Sequence, residues 1–194
     1  YPIEKTLREF SADCVVHPVS DYTSGQAATC LLAKKFIDND SELIISSADY
    51  EHVYNENLWL SLIGDSSIDG VIWTYRSRSM ILKDPEKFAY CQVLKDGVTV
   101  SKVVEKKTIS SSPNTDPLVV GTFWYRKAKD FIDAAENLIK NDITINNEHY
   151  VGTSINYLIE KGKRFVIFDI DQWISFGDPF ELQVLEYWDE HFKG

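Results

Sequence analysis

Short apolar segments of two kinds alternate along this chain, and their order limits the folds that it can adopt. Short runs rich in β-branched and aromatic residues predict strands, and apolar residues repeated every three or four positions predict amphipathic helices. The predicted strands are residues 13–19, 42–46, Gly70–Tyr75, 88–94, 98–104, Leu118–Tyr125 and 164–170. The predicted helices are residues 26–37, residues 55–63, one through Phe131, Ala134, Ala135 and Leu138, one through Val151, Ile155, Leu158 and Ile159, and one that begins after Asp178. Strands separated by helices are typical of an α/β protein, and the first part of the chain predicts a parallel sheet.

Three local signals refine this prediction in the second half of the chain. Asp96 and Gly97 separate two strand segments, which is a strong signal for an antiparallel hairpin. Gly162 follows the last turn of a predicted helix, as expected for a C′ residue that ends it. Residues 178–181 place Asp, Pro and Glu at the N-cap, first and third positions of a helix. The sequence therefore predicts one α/β domain with a mixed sheet covered by helices.

The charge and composition of the chain narrow the kinds of partner that it can have. The sequence holds 30 acidic and 20 basic residues, giving a net charge of −10 and a pI near 4.8. Nucleic acids and anionic membrane surfaces both attract basic faces, so neither is expected as a partner. No apolar run approaches the roughly 20 residues of a membrane-spanning helix, and no signal-peptide pattern opens the chain. The 3 cysteines lack metal-ligand spacing and indicate reduced thiols in a cytoplasmic protein.

Two loops at the carboxyl ends of predicted strands, and one residue after a third strand, carry candidate binding residues. Gly25 and Gln26 open a helix, where glycine lets a ligand approach the backbone and free N–H groups attract an anion or a base edge. Glycine at a helix start is, however, more often a structural turn. Asp49 follows a buried strand and is placed to hold Mg²⁺ between phosphate oxygens, although an aspartate there also serves as a turn or cap residue. Lys106 suits a phosphate, but a solvated charge cluster is the commoner role of such a lysine.

Common catalytic motifs are absent from the sequence. It contains neither the nucleophile elbow G-x-S-x-G nor the phosphate-binding patterns G-x-x-x-x-G-K-[ST] and G-x-G-x-x-G. The histidines His17, His52, His149 and His191 show no metal-ligand spacing, and each is interpreted as a structural or surface residue.

Six short motifs occur in a fixed order along the chain. They are T-x-G-Q-A-A-x-x-L-L-A at residues 23–33, x-x-D at 47–49, V-x-E-K-K at 103–107, V-G-T-x-x-Y at 120–125, N-E-x-Y-V at 147–151 and W-x-S-F-G-x-P-x-x-L at 173–182. This order resembles the sugar nucleotidyltransferase family, specifically its capsule-biosynthesis branch, which is also grouped with family-2-like glycosyltransferases. Each motif is short, but the six together cover most of the chain.

The resemblance implies a Rossmann-like nucleotide-diphospho-sugar transferase fold and a nucleotidyl-transfer reaction. A sugar 1-phosphate is joined to a nucleoside triphosphate with Mg²⁺, and pyrophosphate is released. By resemblance, the roles are Gly25 and Gln26 at the nucleobase, Asp49 at Mg²⁺ and the phosphates, Lys106 at the sugar phosphate, Glu105 at the sugar hydroxyls, and Gly121 and Glu148 around the sugar. Phosphoryl transfer depends mainly on positioning and charge neutralisation, so Asp49 and Lys106 are the predicted catalytic residues.

Two departures from the family pattern shape the expected function. The Gly-rich G-x-G-[ST]-R loop and the following P-K lysine are absent, and the chain begins with Tyr1 rather than Met. We therefore expect an N-terminally truncated domain that lacks its first strand-helix unit and is weak or inactive alone. Many family members also carry an aspartate, as a second metal ligand, where this chain has Ser175. Because a hydroxyl is a poor Mg²⁺ ligand without a carboxylate, this weakens the prediction of two-metal catalysis.

Three functions remain open at this point. The first is a sugar-1-phosphate nucleotidyltransferase, and the second is a capsule glycosyltransferase that uses a nucleotide-sugar donor. The third is a non-catalytic domain that binds nucleotide sugars or another protein. The base, the sugar and the formation of a homo-oligomer are not determined by the sequence.

Overall fold

The computed structural model describes residues 3–76 and 84–193, which form a mixed sheet with helices on both faces and a separate two-stranded ribbon. The helices are α1 (Ile3–Phe10), α2 (Gln26–Leu31), α3 (Glu56–Gly64), α4 (Ala128–Lys140), α5 (Val151–Glu160) and α6 (Pro179–Phe192). The strands are β1 (Leu43–Ser46), β2 (Tyr50–Val53), β3 (Gly70–Tyr75), β4 (Ala89–Val93), β5 (Val100–Glu105), β6 (Leu118–Tyr125), β7 (Phe165–Asp169) and β8 (Gln172–Ser175). Among these helices, none combines the length and the apolar character needed to cross a membrane.

Strand β6 organises the six-stranded sheet, because both of its edges are paired. Strand β3 runs antiparallel along one edge, and β7 continues the sheet parallel to β3. On the other edge, β4 pairs with the beginning of β6 and β1 pairs antiparallel with its end, where Leu43 lies opposite Tyr125. Strand β5 completes the order β5-β4-β6-β3-β7. The predicted mixed sheet covered by helices is confirmed, and so is the β4–β5 hairpin.

The first strand prediction, residues 13–19, is wrong. No helix or strand is assigned there, and Val15 and Val19 are exposed. A β-branched run forms a strand only when a neighbouring strand accepts its backbone hydrogen bonds, and these residues have no such neighbour in the described part of the chain.

The predicted buried parallel strand at residues 42–46 is half correct. Strand β1 exists, but it runs antiparallel to β6 and alternate side chains are exposed, with Ile44 at 55%. The parallel sheet predicted for the first part of the chain is therefore wrong, since β3 and β7 form the parallel pair among the described strands.

Two apolar layers cover the opposite faces of the sheet. On one face, α2, α4 and α5 pack against the sheet through buried residues such as Phe131, Ile155 and Phe123. On the other face, Trp59 of α3 contacts Trp73, with ring centroids 5.0 Å apart, inside an aromatic cluster. These layers hold strand β6, which contains Gly121, and strand β5, which ends at Glu105.

The ribbon of β2 and β8 precedes α6 and pairs residues that are distant in sequence. Tyr50 lies opposite Ser175, and Val53 lies opposite Gln172. The predicted cap of α6 is confirmed, because the Asp178 carboxylate accepts hydrogen bonds from two N–H groups of the first turn. The ribbon brings the segment after Asp49 beside the last of the six sequence motifs.

Candidate functional site

Several of the predicted site residues meet at one short segment, residues 148–152, which leads into α5. Its residue His149 contacts the loop of Gly25, and its Gly152 packs against Glu105. The Tyr150 ring lies under the Lys106 ammonium group, with Nζ 5.3 Å from the ring centroid. The segment thus connects residues from three other parts of the chain.

A cavity of about 220 Å³ lies beside this segment. Gln26 and Gly121 both line it, and so do Ser47 and Val151. Gly121 has φ 83, and a methyl group there would lie 2.8 Å from Ser47 Oγ, so the glycine keeps this wall open. The structure therefore brings a predicted nucleobase residue and a predicted sugar residue to the same cavity.

Gly25 is required by its backbone and by its neighbour. Its φ of 128 and ψ of −177 lie in a region that is essentially restricted to glycine. A methyl group there would lie 2.5 Å from the His149 backbone nitrogen. The close approach is fixed on both sides, because His149 N–H donates to Ser24 O at 2.8 Å and Ala27 N–H donates to His149 O at 2.9 Å.

Glu148 is held at the end of a tight turn. Ile145 and Glu148 exchange backbone hydrogen bonds of 3.0 Å in both directions. Between them, Asn146 and Asn147 both have positive φ, 50 and 64, a pattern that asparagine tolerates well. The turn leaves Glu148 two residues before Tyr150, and burial, together with a hydrogen bond to the Glu148 carboxylate, raises the pKa of the Tyr150 hydroxyl.

Glu105 ends strand β5 and is largely desolvated. A methyl group at Gly152 would lie 2.4 Å from Glu105 Oε1, so the glycine makes room for the carboxylate. Burial raises the pKa of Glu105 to about 7, and the positive charge of Lys106 opposes this shift only in part. Near neutral pH this carboxyl group exists in both protonation states, so it can accept or donate a hydrogen bond to a ligand hydroxyl.

Lys106 is held in an unusual backbone conformation. Its φ is 54, and its N–H donates to Phe88 O at 2.9 Å. The ammonium group donates to Lys87 O and lies over the Tyr150 ring. An ammonium with one carbonyl partner keeps two further N–H donors, which suits an anionic ligand at this position.

Asp49 occupies the connection between β1 and β2, at some remove from the 148–152 segment. Its carbonyl accepts a hydrogen bond from Phe176 N–H at 3.1 Å, and a methyl group at Gly177 would lie 2.8 Å from its Oδ2. At the β1 end of this connection, Ser47 reaches the cavity, and its backbone N–H donates to Gly121 O at 3.2 Å. Asp49 is therefore adjacent to the cavity wall rather than part of it.

A metal ion at Asp49 would need further ligands, such as a ligand's phosphates and water. Within residues 3–76 and 84–193, no group of three or more His, Cys, Asp or Glu side chains is arranged to hold a metal ion. Ser175, at the position of the family's second metal carboxylate, donates instead to Glu181 Oε2 at 2.6 Å. A single carboxylate is consistent with Mg²⁺, which proteins often bind through one or two carboxylates plus substrate phosphates and water.

Solved structures of similar architecture were found for this chain. A nucleoside-diphosphate-sugar pyrophosphorylase from Vibrio cholerae RC9 superposes with a TM-score of 0.69 at 20% identity, over 95% of this chain and 75% of that one. The inositol-1-phosphate CTP transferase from T. maritima gives 0.67 at 16% identity, over 95% and 69%. A UDP-glucose pyrophosphorylase complexed with UDP-glucose gives 0.67 at 14% identity, over 98% and 74%.

These superpositions decide the fold. The chain has the fold of the sugar nucleotidyltransferases. No protein-family model matches it, and no curated protein matches its sequence. The superpositions thereby confirm the Rossmann-like nucleotidyltransferase fold that the sequence motifs imply. The residue roles stay predictions.

Sequence reasoning missed several residues that build the site in this nucleotidyltransferase fold. His149, Tyr150 and Ser47 each connect two of the predicted residues, yet none of them was assigned a role in the site from the sequence. The pair Asn146-Asn147 was the one local signal available, because two residues that tolerate positive φ predict a tight turn just before Glu148. The contacts of His149 and Ser47 join distant parts of the chain and leave no local pattern.

The raised pKa of Glu105 predicts a stability that falls with increasing pH. Its pKa is about 7 in the folded chain against 4.5 for an ordinary glutamate, so the folded state binds more protons between these values. Stability is therefore lost as the pH rises from about 5 to about 8, by roughly 3 kcal/mol at most. We expect Glu105→Gln to remove this loss, measured as urea unfolding free energies at pH 5 and pH 8.

Glu160→Gln is the matched control, because that carboxylate is exposed at the end of α5. The control variant is expected to keep the pH dependence of the unmodified chain. An unchanged pH dependence in Glu105→Gln would contradict the assignment of the shift to this residue.

Proposed function

We propose that this chain is the nucleotide-sugar-binding part of a sugar-1-phosphate nucleotidyltransferase. The observation that carries the proposal is the convergence on residues 148–152 of the loop of Gly25, of Glu105 and of Lys106, beside the cavity that Gln26 and Gly121 line. The cavity has the polar side chains of Gln26 and Ser47 in its wall and lies beside the segment against which Glu105 packs, which suits a ligand that carries both a base and a polyhydroxylated sugar. The names of the fold neighbours, two pyrophosphorylases and a CTP transferase, support the same class.

The proposed reaction is a displacement at phosphorus. A phosphate oxygen of the sugar 1-phosphate attacks the α-phosphorus of the nucleoside triphosphate. The bond between the α-phosphorus and the bridging oxygen to the β-phosphorus breaks, and pyrophosphate leaves with the electron pair. In this scheme Lys106 binds the sugar phosphate, while Glu105 and Glu148 orient the sugar hydroxyls. Catalysis then comes from holding the two reactants in line and balancing their charge.

Asp49 is the proposed magnesium ligand of this chain. Its carboxylate has space beside Gly177, and its connection to Gly121 runs through Ser47. When bound, Mg²⁺ neutralises phosphate charge and orients the phosphates. The protein's part is to fix the position of the Asp49 carboxylate relative to the cavity.

Binding and product analysis test this function. The 194-residue chain is titrated by calorimetry with UDP-glucose, GDP-mannose and dTDP-glucose in the presence of Mg²⁺. We expect at least one of the three to bind, and UDP-glucose is the first choice because a fold neighbour was solved with it. Absence of binding by all three would overturn the proposal.

A lysine variant tests the phosphate role. We expect Lys106→Met to weaken glucose 1-phosphate binding about 10-fold, because a charged hydrogen bond to phosphate contributes roughly 1.5–3 kcal/mol. Lys107→Met is the matched control, since it removes the same charge from the exposed neighbouring residue and is expected to bind normally. Equal losses in the two variants would indicate a general charge effect and contradict the role of Lys106.

A nucleotide-sugar-dependent glycosyltransferase is the second candidate, favoured by one observation. The Ser175 hydroxyl, where many family members have a metal-binding aspartate, is engaged with Glu181. A transferase that breaks the bond between the sugar and the diphosphate has no need to bind a triphosphate. Pyrophosphate among the products of nucleoside triphosphate and sugar 1-phosphate identifies the first function. Nucleoside diphosphate released from a nucleotide sugar identifies the second.

A further inference from the structure

His149 lies between the segments with the proposed base and sugar roles. The residue is 4% exposed, and it follows Glu148 directly. Its side chain reaches Ser24, the residue before Gly25, across 125 positions of sequence. The interpretation of His149 as a structural or surface residue does not account for this contact between its side chain and Ser24.

The contacts between His149 and Ser24 form a two-point attachment. The His149 backbone N–H donates to Ser24 O at 2.8 Å, and the imidazole Nδ1 lies 3.1 Å from the same oxygen. A carbonyl oxygen only accepts, so this contact is a hydrogen bond in the tautomer that carries a hydrogen on Nδ1. Ser24 Oγ also lies 3.0 Å from Nδ1. Together with the bond from Ala27 N–H to His149 O, the loop is attached to His149 before and after Gly25.

The other ring nitrogen explains why histidine is unusual at this position. Nε2 is buried without a hydrogen-bond partner among the described residues, and Asp142 Oδ1 is 3.7 Å away. Burying an unpaired polar atom destabilises a protein, and phenylalanine would fill similar space without that cost. The property that histidine adds is therefore the contact of Nδ1 with Ser24.

We propose that His149 is a positioning residue that fixes the spacing between the loop at residues 23–26 and Glu148. The inference rests on the proposed function, in which that loop binds the base and Glu148 binds the sugar. A nucleotide sugar carries both groups on one diphosphate, so it binds more tightly than its separate parts only if the two subsites keep a matching distance. His149 sets that distance, because its ring holds one subsite and its chain neighbour forms the other.

Two substitutions at His149 test the proposal. His149→Phe keeps a ring of similar size and loses Nδ1, whereas His149→Asn keeps a nitrogen donor near the Nδ1 position. The tightest of the three nucleotide sugars named above is used as the probe, with its nucleoside monophosphate and its sugar 1-phosphate as the separate parts. We expect His149→Phe to lower nucleotide-sugar affinity about 10-fold and that of either part less than about twofold. His149→Asn is expected to restore most of the lost affinity.

The outcomes separate a positioning role from a merely structural one. Unchanged affinity in His149→Phe, or equal losses for the nucleotide sugar and both parts, would overturn the proposal. Failure of the unmodified chain to bind any nucleotide sugar would instead count against the proposed function. In that case amide hydrogen exchange decides the attachment itself. His149→Phe must then speed exchange at the Ala27 amide about 10-fold, and unchanged exchange overturns the attachment.

Discussion

Gly25→Ala is expected to lower nucleotide-sugar affinity about 100-fold and to destabilise the fold by roughly 3 kcal/mol. The added methyl group would lie 2.5 Å from the His149 nitrogen and 2.8 Å from its carbonyl oxygen. Both atoms belong to the backbone, so no rotamer change relieves the collision. The backbone at Gly25, with φ 128, also disfavours any side chain. The loop and residues 148–152 must therefore separate, which disrupts the proposed base subsite and its spacing to Glu148.

Gly97→Ala is the matched control for Gly25→Ala. Gly97 also has a positive φ, 77, but a methyl group there meets no described atom within 4 Å. It lies in the β4–β5 hairpin turn, so we expect a loss of about 1 kcal/mol in stability and normal ligand binding. Urea unfolding and calorimetry measure both variants. Normal binding by Gly25→Ala, or an equal effect of the two substitutions, would contradict the close contact with His149 as the cause.

The parts of the fold that the sequence predicted are those with local causes. The hairpin at Asp96-Gly97 and the cap at Asp178 depend on residues within one turn, and both are present as predicted. The helices α4 and α5 follow from apolar spacing alone and bury the expected side chains. Each of these elements is specified by its own residues, so the neighbouring structure does not alter it.

The parts that the sequence missed depend on pairing between distant segments. Residues 13–19 have strand composition but no strand partner in the described chain. Strand β1 does have a partner, the end of β6, but the two strands run antiparallel. The ribbon joins Tyr50 to Ser175, and no periodicity in either segment indicates the other. Strand composition reports that a segment suits a sheet, but not which edge it joins or in which direction.

The candidate site shows the same division. Gly25 and Gly121 could be found from their motifs, and both have a positive φ, a backbone conformation that favours glycine. The attachment of Ser24 by His149 could not, since it connects residues 125 positions apart through the carbonyl and hydroxyl oxygens of Ser24. Candidate binding residues are visible as sequence patterns, whereas contacts between distant segments become visible only when the fold joins them.

Asp49→Asn is expected to abolish the effect of Mg²⁺ on nucleotide-sugar binding. The chain has a net charge of −10, so it has no general basic surface with which to attract a diphosphate. In the proposed function, charge is instead balanced locally, by the ammonium of Lys106 and by a cation at Asp49. We expect Mg²⁺ to raise the affinity of the unmodified chain about 30-fold over an EDTA-treated sample. Asparagine keeps the size of the side chain beside Gly177 and removes its charge, so the variant should fold normally and show a ratio near 1.

Glu181→Gln is the control that separates the proposed metal-binding role of Asp49 from a general loss of negative charge. The Glu181 carboxylate belongs to α6 and accepts a hydrogen bond from Ser175. Ser175 occupies the position of the family's second metal ligand. If Asp49 alone holds the cation, Glu181→Gln keeps the full response to Mg²⁺. If the response disappears in Glu181→Gln and persists in Asp49→Asn, the metal ligand lies on the ribbon and α6, and the assignment to Asp49 is wrong. Calorimetric titrations of the three proteins with and without Mg²⁺ give this comparison directly, because binding is read without any requirement for turnover.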